Sequence, residues 1–190
     1  MNRTQRIWVL AFGVLFVFSV LPGAIAGEFT LSSPHLKSGE PMTQARVFNG
    51  FGCTGDNVSP ALHWNQPPDG TKSFAVTCYD PDAPTGSGWW HWVVFNIGSQ
   101  VRSLPENSGD PAGGMAPAGC IQSMTDFGEP GYGGACPPQG DTPHRYIFTV
   151  YALDVESLPL KASAPAAMVG FYIHQHAIDK AVIKVVYSRR

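Results

Sequence analysis

A chain of 190 residues that is 44% hydrophobic and 12% aromatic has enough apolar surface to bury a core, which excludes wholesale disorder. Twelve Lys+Arg against fourteen Asp+Glu give a formal charge of −2, with no broad cationic face to hold nucleic acid. Twenty-one Gly and seventeen Pro exclude a helical bundle or coiled coil and favour strands, turns and ordered loops.

The first 26 residues read as a leader. Arg3 and Arg6 form a basic start, and Ile7 to Leu21 carries no charge. Pro22-Gly23 then breaks the run, and Ala24-Ile25-Ala26 supplies small residues in an A-x-A arrangement. This pattern predicts a secretory signal peptide over 1–26, cut after Ala26, and one folded domain over 27–190. The apolar run is shorter than the ~20 residues that span a bilayer, so no stable membrane insertion is expected after cleavage. No cysteine follows the cut, so a lipid anchor is not indicated. Without Arg3 and Arg6 the balance is ten Lys+Arg against fourteen Asp+Glu, or −4. The expected compartment is the periplasm or the exterior.

Phe29 to Ser33 reads as a first short strand, and Ala61 to Trp64 as a second, entered from Asn57-Val58-Ser59-Pro60. Pro67-Pro68-Asp69-Gly70 is a turn. Ser73 to Tyr79 is β-branched and aromatic, a central strand. Trp90 to Ile97 is almost continuously apolar, which predicts a strand covered on both faces. Short strands are expected over Val101–Leu104 and Gly119–Met124, and turn formers dominate Gln122 to Gly140. Arg145 to Leu153 alternates, with Tyr146, Phe148 and Val150 on one side. Ser163 is the expected cap of a helix ending near Ala177, with a last strand over Lys180–Ser188. About eight short strands without βαβ alternation predict a mainly β fold, an antiparallel β-sandwich with a C-terminal helix and long ordered loops.

Export places Cys53, Cys78, Cys120 and Cys136 in an oxidising compartment, where three pairings are possible. Cys53 and Cys136 both lie in glycine-rich loops, so a Cys53–Cys136 bridge is favoured. Cys78 and Cys120 read as free thiols in strands. No C-x-x-C spacing supports structural zinc.

Three segments combine polar and rigid residues. In Asp80-Pro81-Asp82-Ala83-Pro84 the prolines aim the carboxylates. In Gly86-Ser87-Gly88-Trp89-Trp90-His91-Trp92 an imidazole is framed by indoles. Tyr132-Gly133-Gly134-Ala135-Cys136-Pro137-Pro138-Gln139-Gly140, followed by Asp141 to Tyr146, offers backbone amides on a stiff rim. His144 and Tyr146 share a strand face. Imidazoles, a phenol and amides suit a phosphate or similar oxyanion, and an aspartate can orient an imidazole or carry a proton itself.

Together with Asn57-Val58-Ser59-Pro60, Leu62 and Trp64, these segments resemble the phosphatidylethanolamine-binding protein family. The likeness is to its bacterial Raf-kinase-inhibitor-like branch and spans nearly all of Phe29 to Tyr187. The resemblance implies two antiparallel sheets and a C-terminal helix near the mouth of an anion pocket. It implies that Asp80, His91, His144 and Tyr146 line that pocket, with Asp82 beside Asp80. Pro81, Trp89 and Pro137 would be its walls, and Gly134 and Cys136 would offer amides. It also makes Ala83-Pro84 a candidate cis bond. Cys136 stands where many relatives have Gly.

The main expectation is therefore not an enzyme but a binding protein for a small anionic group, regulatory or inhibitory through that ligand or a protein partner. No cofactor is expected, and a homodimer is compatible with the chain. One alternative is a metal-dependent phosphoesterase using Asp80, Asp82, His91 and His144, although no H-E-x-x-H, G-x-S-x-G or H-x-H-x-D pattern supports it. Another is a secreted interaction factor acting through Trp89, Trp90, Trp92 and Phe171.

Overall fold

The computed structural model describes residues 27–189, so the expected leader lies outside the described residues. In chain order the elements are β1 (Thr30–Ser32), β2 (Asn49–Gly50), β3 (Cys53–Thr54), β4 (Leu62–Asn65), β5 (Ser73–Asp80) and β6 (Trp89–Gly98). There follow β7 (Ser103–Leu104), β8 (Ile121–Gln122), β9 (His144–Leu153), α1 (Ala166–His176) and β10 (Ala177–Tyr187). A five-stranded sheet runs β10-β9-β5-β6-β8 and a three-stranded sheet runs β1-β4-β7. All the strand pairs in both are antiparallel. A small β2–β3 ribbon, absent from the sequence reading, stands apart from the two sheets.

The central strands carry apolar side chains on both faces because two layers cover them. On one face Cys78, Trp92, Val94, Tyr146, Phe148 and Val150 pack with Leu62, Trp64 and Leu104 of the smaller sheet. On the other, Ala75, Val93, Phe95, Tyr151 and Leu153 meet Ala166, Val169 and Ile173 of α1. The buried helix positions, Ala166, Val169, Gly170 and Ile173, follow helical spacing. Gly170 admits the Trp90 indole, since a Cβ there would lie 3.3 Å from Trp90 Cη2.

Two expectations about α1 are corrected. Its N-cap is Pro165 rather than Ser163, without a side-chain cap bond. Proline supplies the extended entry and its carbonyl accepts from Met168 and Val169 N–H. The helix also lies on the face of the sheet away from the pocket described below and lines none of it. Gly119–Met124 shrinks to the two residues of β8 because only Val94 and Phe95 of β6 have partners there.

The register of β5 against β6 slips twice. Phe74 faces Ile97 while Val76 faces Val94, and Cys78 faces Trp92 while Tyr79 faces Trp90. The first slip accompanies Asn96, in a left-handed conformation at φ 58°, whose Oδ1 accepts from Leu158 N–H at 2.7 Å. At the second, His91 is the extra residue. A bulge of this kind turns a side chain out of strict alternation. It carries the His91 ring to within 5.0 Å of Tyr146, on the face shared with Trp92, while Trp90 stays on the helix side.

Candidate functional site

The C-terminal end of β5 and the N-terminal ends of β6 and β9 meet at one edge of the large sheet, because these neighbours are antiparallel. That edge delivers Asp80, His91, His144 and Tyr146, all buried, to the floor of a cavity of about 210 Å³. Trp89, Pro137, Pro138, Cys136, Ala83, Pro84 and Thr85 form its walls with Phe51 and Phe127.

The polar floor has a defined proton arrangement. His144 Nδ1 lies 2.7 Å from Asp80 Oδ2. A carboxylate only accepts, so Nδ1 carries hydrogen. The other ring nitrogen, Nε2, is 3.4 Å from Asp141 Oδ2. Asp80 Oδ1 accepts from the Asp82 N–H at 2.8 Å, so both Asp80 oxygens are engaged. This Asx turn aims the Asp80 side chain. His91 Nδ1 donates to the Gly133 carbonyl at 2.7 Å, and Gly133 N–H donates back to the His91 carbonyl at 2.8 Å. Nε2 is then the ring's remaining polar atom. Burial pushes His91 below the ordinary histidine range, while the Gly133 carbonyl and Asp80 pull the other way. Burial, followed by the nearby Asp80 charge, raises the Tyr146 phenol, so it keeps its proton. Among the described residues the buried Tyr146 hydroxyl has no hydrogen-bond partner.

The third segment is held in place by Asn57 and Arg46. Asn57 Oδ1 accepts from Gly134 N–H at 2.7 Å and Asn57 Nδ2 donates to Tyr132 O at 3.1 Å. A left-handed φ of 55° at Asn57 lets one amide side chain reach both. Buried Arg46 donates to Val58 O at 2.9 Å and Ser59 O at 3.1 Å and pairs with Glu106. Its own carbonyl accepts from the Tyr132 hydroxyl at 2.9 Å. A Cβ on Gly134 would collide with the Arg46–Phe48 backbone, which is why that position needs glycine.

Seven of the ten residues expected at the pocket lie on its floor or walls: Asp80, Trp89, His91, Cys136, Pro137, His144 and Tyr146. Pro81, Asp82 and Gly134 do not line it. Asp82 turns to Arg145, which donates from Nε at 2.8 Å and from Nη2 at 2.6 Å, and whose backbone N–H donates at 2.9 Å. The guanidinium holds the Asp82 carboxyl down at about 2. The Gly134 amide is taken by Asn57. Among the described residues every peptide bond is trans, including Ala83-Pro84, against the cis expectation. The Cys53–Cys136 disulfide is present, while Cys78 and Cys120 are free, Cys120 just outside β8.

Phe51 and Phe127 were not foreseen. Each sits in a turn-rich stretch, and an aromatic flanked by glycine or Asp-Gly was the available signal. Phe127 lies 5.3 Å from the His91 ring and edge-on to Trp89 at 5.4 Å. Its loop is anchored where Asp126 Oδ2 accepts the Trp90 N–H at 2.7 Å.

Of the residues of the metal reading, Asp80, His91 and His144 share the cavity floor, whereas Asp82 is turned to Arg145. Among the described residues no group of three or more His, Cys, Asp or Glu is arranged to hold a metal ion. Of the proposed aromatic anchors Trp92 is buried, Trp89 and Trp90 are half-buried and Phe171 is exposed.

A sandwich of two antiparallel sheets, with a carboxylate, two imidazoles and a phenol buried where the strand ends converge, defines a class of small-pocket β proteins. The chain belongs to the phosphatidylethanolamine-binding protein family, whose model matches residues 32–188. It is 51% identical over 165 residues to UPF0098 protein YbcL of Escherichia coli K12, covering 87% of this chain and 90% of the relative. It is 53% identical over 158 residues to YbhB of the same organism, covering 83% and 99%. The crystal structure of E. coli YbcL, described as a new member of the mammalian PEBP family, superposes with a TM-score of 0.85 at 50% identity. That match covers 86% of this chain and all of the YbcL chain. Among the described residues no helix is long and apolar enough to cross a membrane.

Proposed function

We propose that this protein is an exported, non-enzymatic binding module that captures a small oxyanion, a phosphate or phosphorylated headgroup, on the floor formed by Asp80, His91, His144 and Tyr146. The observation that carries the reading is the buried Tyr146 hydroxyl. A buried donor left without an acceptor is costly, and a ligand oxygen would satisfy it. The family name points to the same headgroup chemistry. The disulfide supports an oxidising compartment, in line with the leader-like first 26 residues. Pro84, Pro137 and Pro138 keep the walls rigid, so little ordering opposes binding.

Isothermal titration of the folded protein with inorganic phosphate and phosphoethanolamine tests this directly. Saturable heat with one site is expected; none across pH 5–8 would overturn the reading. Tyr146→Phe removes only the hydroxyl and is expected to weaken phosphate binding about tenfold, equivalent to about 1.4 kcal/mol. Because the lone hydroxyl is buried, its removal should leave thermal stability unchanged or raised. Equal affinity in variant and parent would deny the phenol a role.

The pH dependence has a definite sign. Burial lowers the folded-state pKa of His91, so the folded free protein binds fewer protons than the unfolded chain between that lowered value and about 6.5. The contribution of His91 to stability is present above about 6.5 and is lost as pH falls through its folded pKa. An anion accepting from His91 Nε2 favours the protonated ring and reverses this trend. Sulfate affinity is therefore expected to rise as pH falls below about 6.5, with proton uptake, since sulfate itself keeps its charge there. A flat profile from pH 7.5 to 5 would remove His91 from the donor set.

A further inference from the structure

We propose that the Cys53–Cys136 disulfide is a redox-operated clasp that holds Phe51 as a wall of the pocket, so that reduction by a dithiol loosens ligand retention. The inference rests on the anion-pocket reading and adds its regulation.

The geometry is specific to the loop tip. Phe51 is 69% exposed, yet it lines the cavity and lies 5.9 Å from the Phe127 ring at an interplanar angle of 11°. Phe48 joins both rings, at 5.3 Å and 4.5 Å. Phe51 also occupies the left-handed region at φ 52°, between Gly50 and Gly52. A bulky side chain adopts that conformation only when its surroundings impose it. The ties around it are the bridge, the ring contacts and a few hydrogen bonds: Phe48, which precedes the ribbon, donates its N–H to Ala135 O at 3.0 Å and accepts at its carbonyl from Gly55 N–H at 2.9 Å. The ribbon beneath the tip has two residue pairs, Asn49–Thr54 and Gly50–Cys53. Arg189, next to the chain end, donates to Phe51 O at 3.3 Å and Gly52 O at 2.9 Å. The covalent tie is Cys53 to Cys136 across 83 residues, and Cys136 Sγ lies 3.7 Å from the Gly50 carbonyl oxygen. The two cysteines differ in exposure: Cys53 is buried, whereas Cys136 is half-buried and lines the pocket.

Access decides the order of events. A thiolate of the dithiol attacks Cys136 Sγ, the S–S bond breaks, and Cys53 leaves as a thiolate that takes a proton. The reductant's second thiolate displaces Cys136 Sγ, which is protonated in turn, and the reductant leaves as its disulfide. Two electrons pass to the protein. The tip then relaxes from its left-handed conformation, and Phe51 withdraws from Phe127 and the cavity.

The test compares oxidised protein with protein reduced by dithiothreitol, with circular dichroism confirming the fold in both. Amide hydrogen exchange over 50–54 is expected to accelerate at least tenfold on reduction, with β5 and β9 unchanged. Unchanged exchange at the tip overturns the clasp whatever the ligand. Titration with phenyl phosphate should show about fivefold weaker binding in the reduced protein. Phe51→Ala, with the bridge intact, should show the same loss and no further loss on reduction. Equal affinity in both redox states, or an undiminished reduction effect in Phe51→Ala, overturns the proposal. If tip exchange accelerates but no state binds phosphate or phenyl phosphate, the anion reading fails and the coupling to ligand fails with it, while the mechanical release of the tip stands.

Discussion

Asp80→Ala is expected to be the most damaging single change at the site, costing about 3 kcal/mol of stability and at least tenfold in phosphate affinity. Asp80 is buried and both of its oxygens are in use, one on His144 and one on the Asp82 N–H. Truncation leaves the buried His144 Nδ1–H without its acceptor and removes the bond that shapes the turn into Ala83 and Pro84, which are cavity walls. The opposite expectation also has a physical basis, since removing a negative charge should welcome an anion. Asp80 is not an isolated charge, however. Its nearest groups are an imidazole and a backbone donor, and its field favours the protonated form of His91. Loss of the aimed imidazoles therefore outweighs relief of repulsion. Urea unfolding gives the stability term, and calorimetry gives the affinity. Asp80→Asn keeps the volume and the acceptor for Asp82 N–H. Its amide N–H can donate to His144 Nδ1 once that ring takes its other tautomer, so it should fold better than Asp80→Ala and still bind weakly. An affinity equal to or above that of the parent in Asp80→Asn would show that the carboxylate works against the guest.

Replacing both Cys53 and Cys136 by Ala should lower stability by about 4 kcal/mol, the largest expected effect on stability. The bridge spans 83 residues and therefore restricts a long loop of the unfolded chain. That loop contains β4, β5, β6, β7 and β8, so its closure restrains a large part of both sheets. The midpoint of urea unfolding measures the difference, with the reduced parent as a second comparison. A loss below about 1 kcal/mol would mean that the native bridge is offset by strain or by structure in the unfolded state. Because the effect falls mainly on the unfolded chain, the native cavity floor should persist in the variant, and only the Phe51 tip should be altered.

Much of the architecture was legible in the residues. Ser73–Tyr79 and Arg145–Leu153 show runs that only a buried strand tolerates, and they became β5 and β9 almost to the residue. The apolar run through β6 signalled cover on both faces, which the small sheet and α1 supply. Two-residue periodicity put His144 and Tyr146 on one side. Periodicity failed at His91, because a bulge breaks it and a bulge is a property of the pairing between two strands. The β2–β3 ribbon escaped notice and the strand expected over Gly119–Met124 was drawn too long, since two-residue elements carry no period.

By itself the sequence determined the central strands, the cover on both faces of the β6 run and the three segments that carry the polar residues, and it favoured the pairing of Cys53 with Cys136. These follow from local pattern and residue chemistry, while the assignment of the pocket floor came from the family resemblance. The tertiary structure alone decided which polar groups stay available. Asp82 is spent on Arg145 and the Gly134 amide on Asn57, partners 63 and 77 residues away, whereas the Tyr146 hydroxyl is left alone. It also decided that Phe51 and Phe127 become walls and that α1 covers the opposite face. Hydrogen-bond partners and cavity walls are set by where distant segments meet in space, which no local reading of the chain contains.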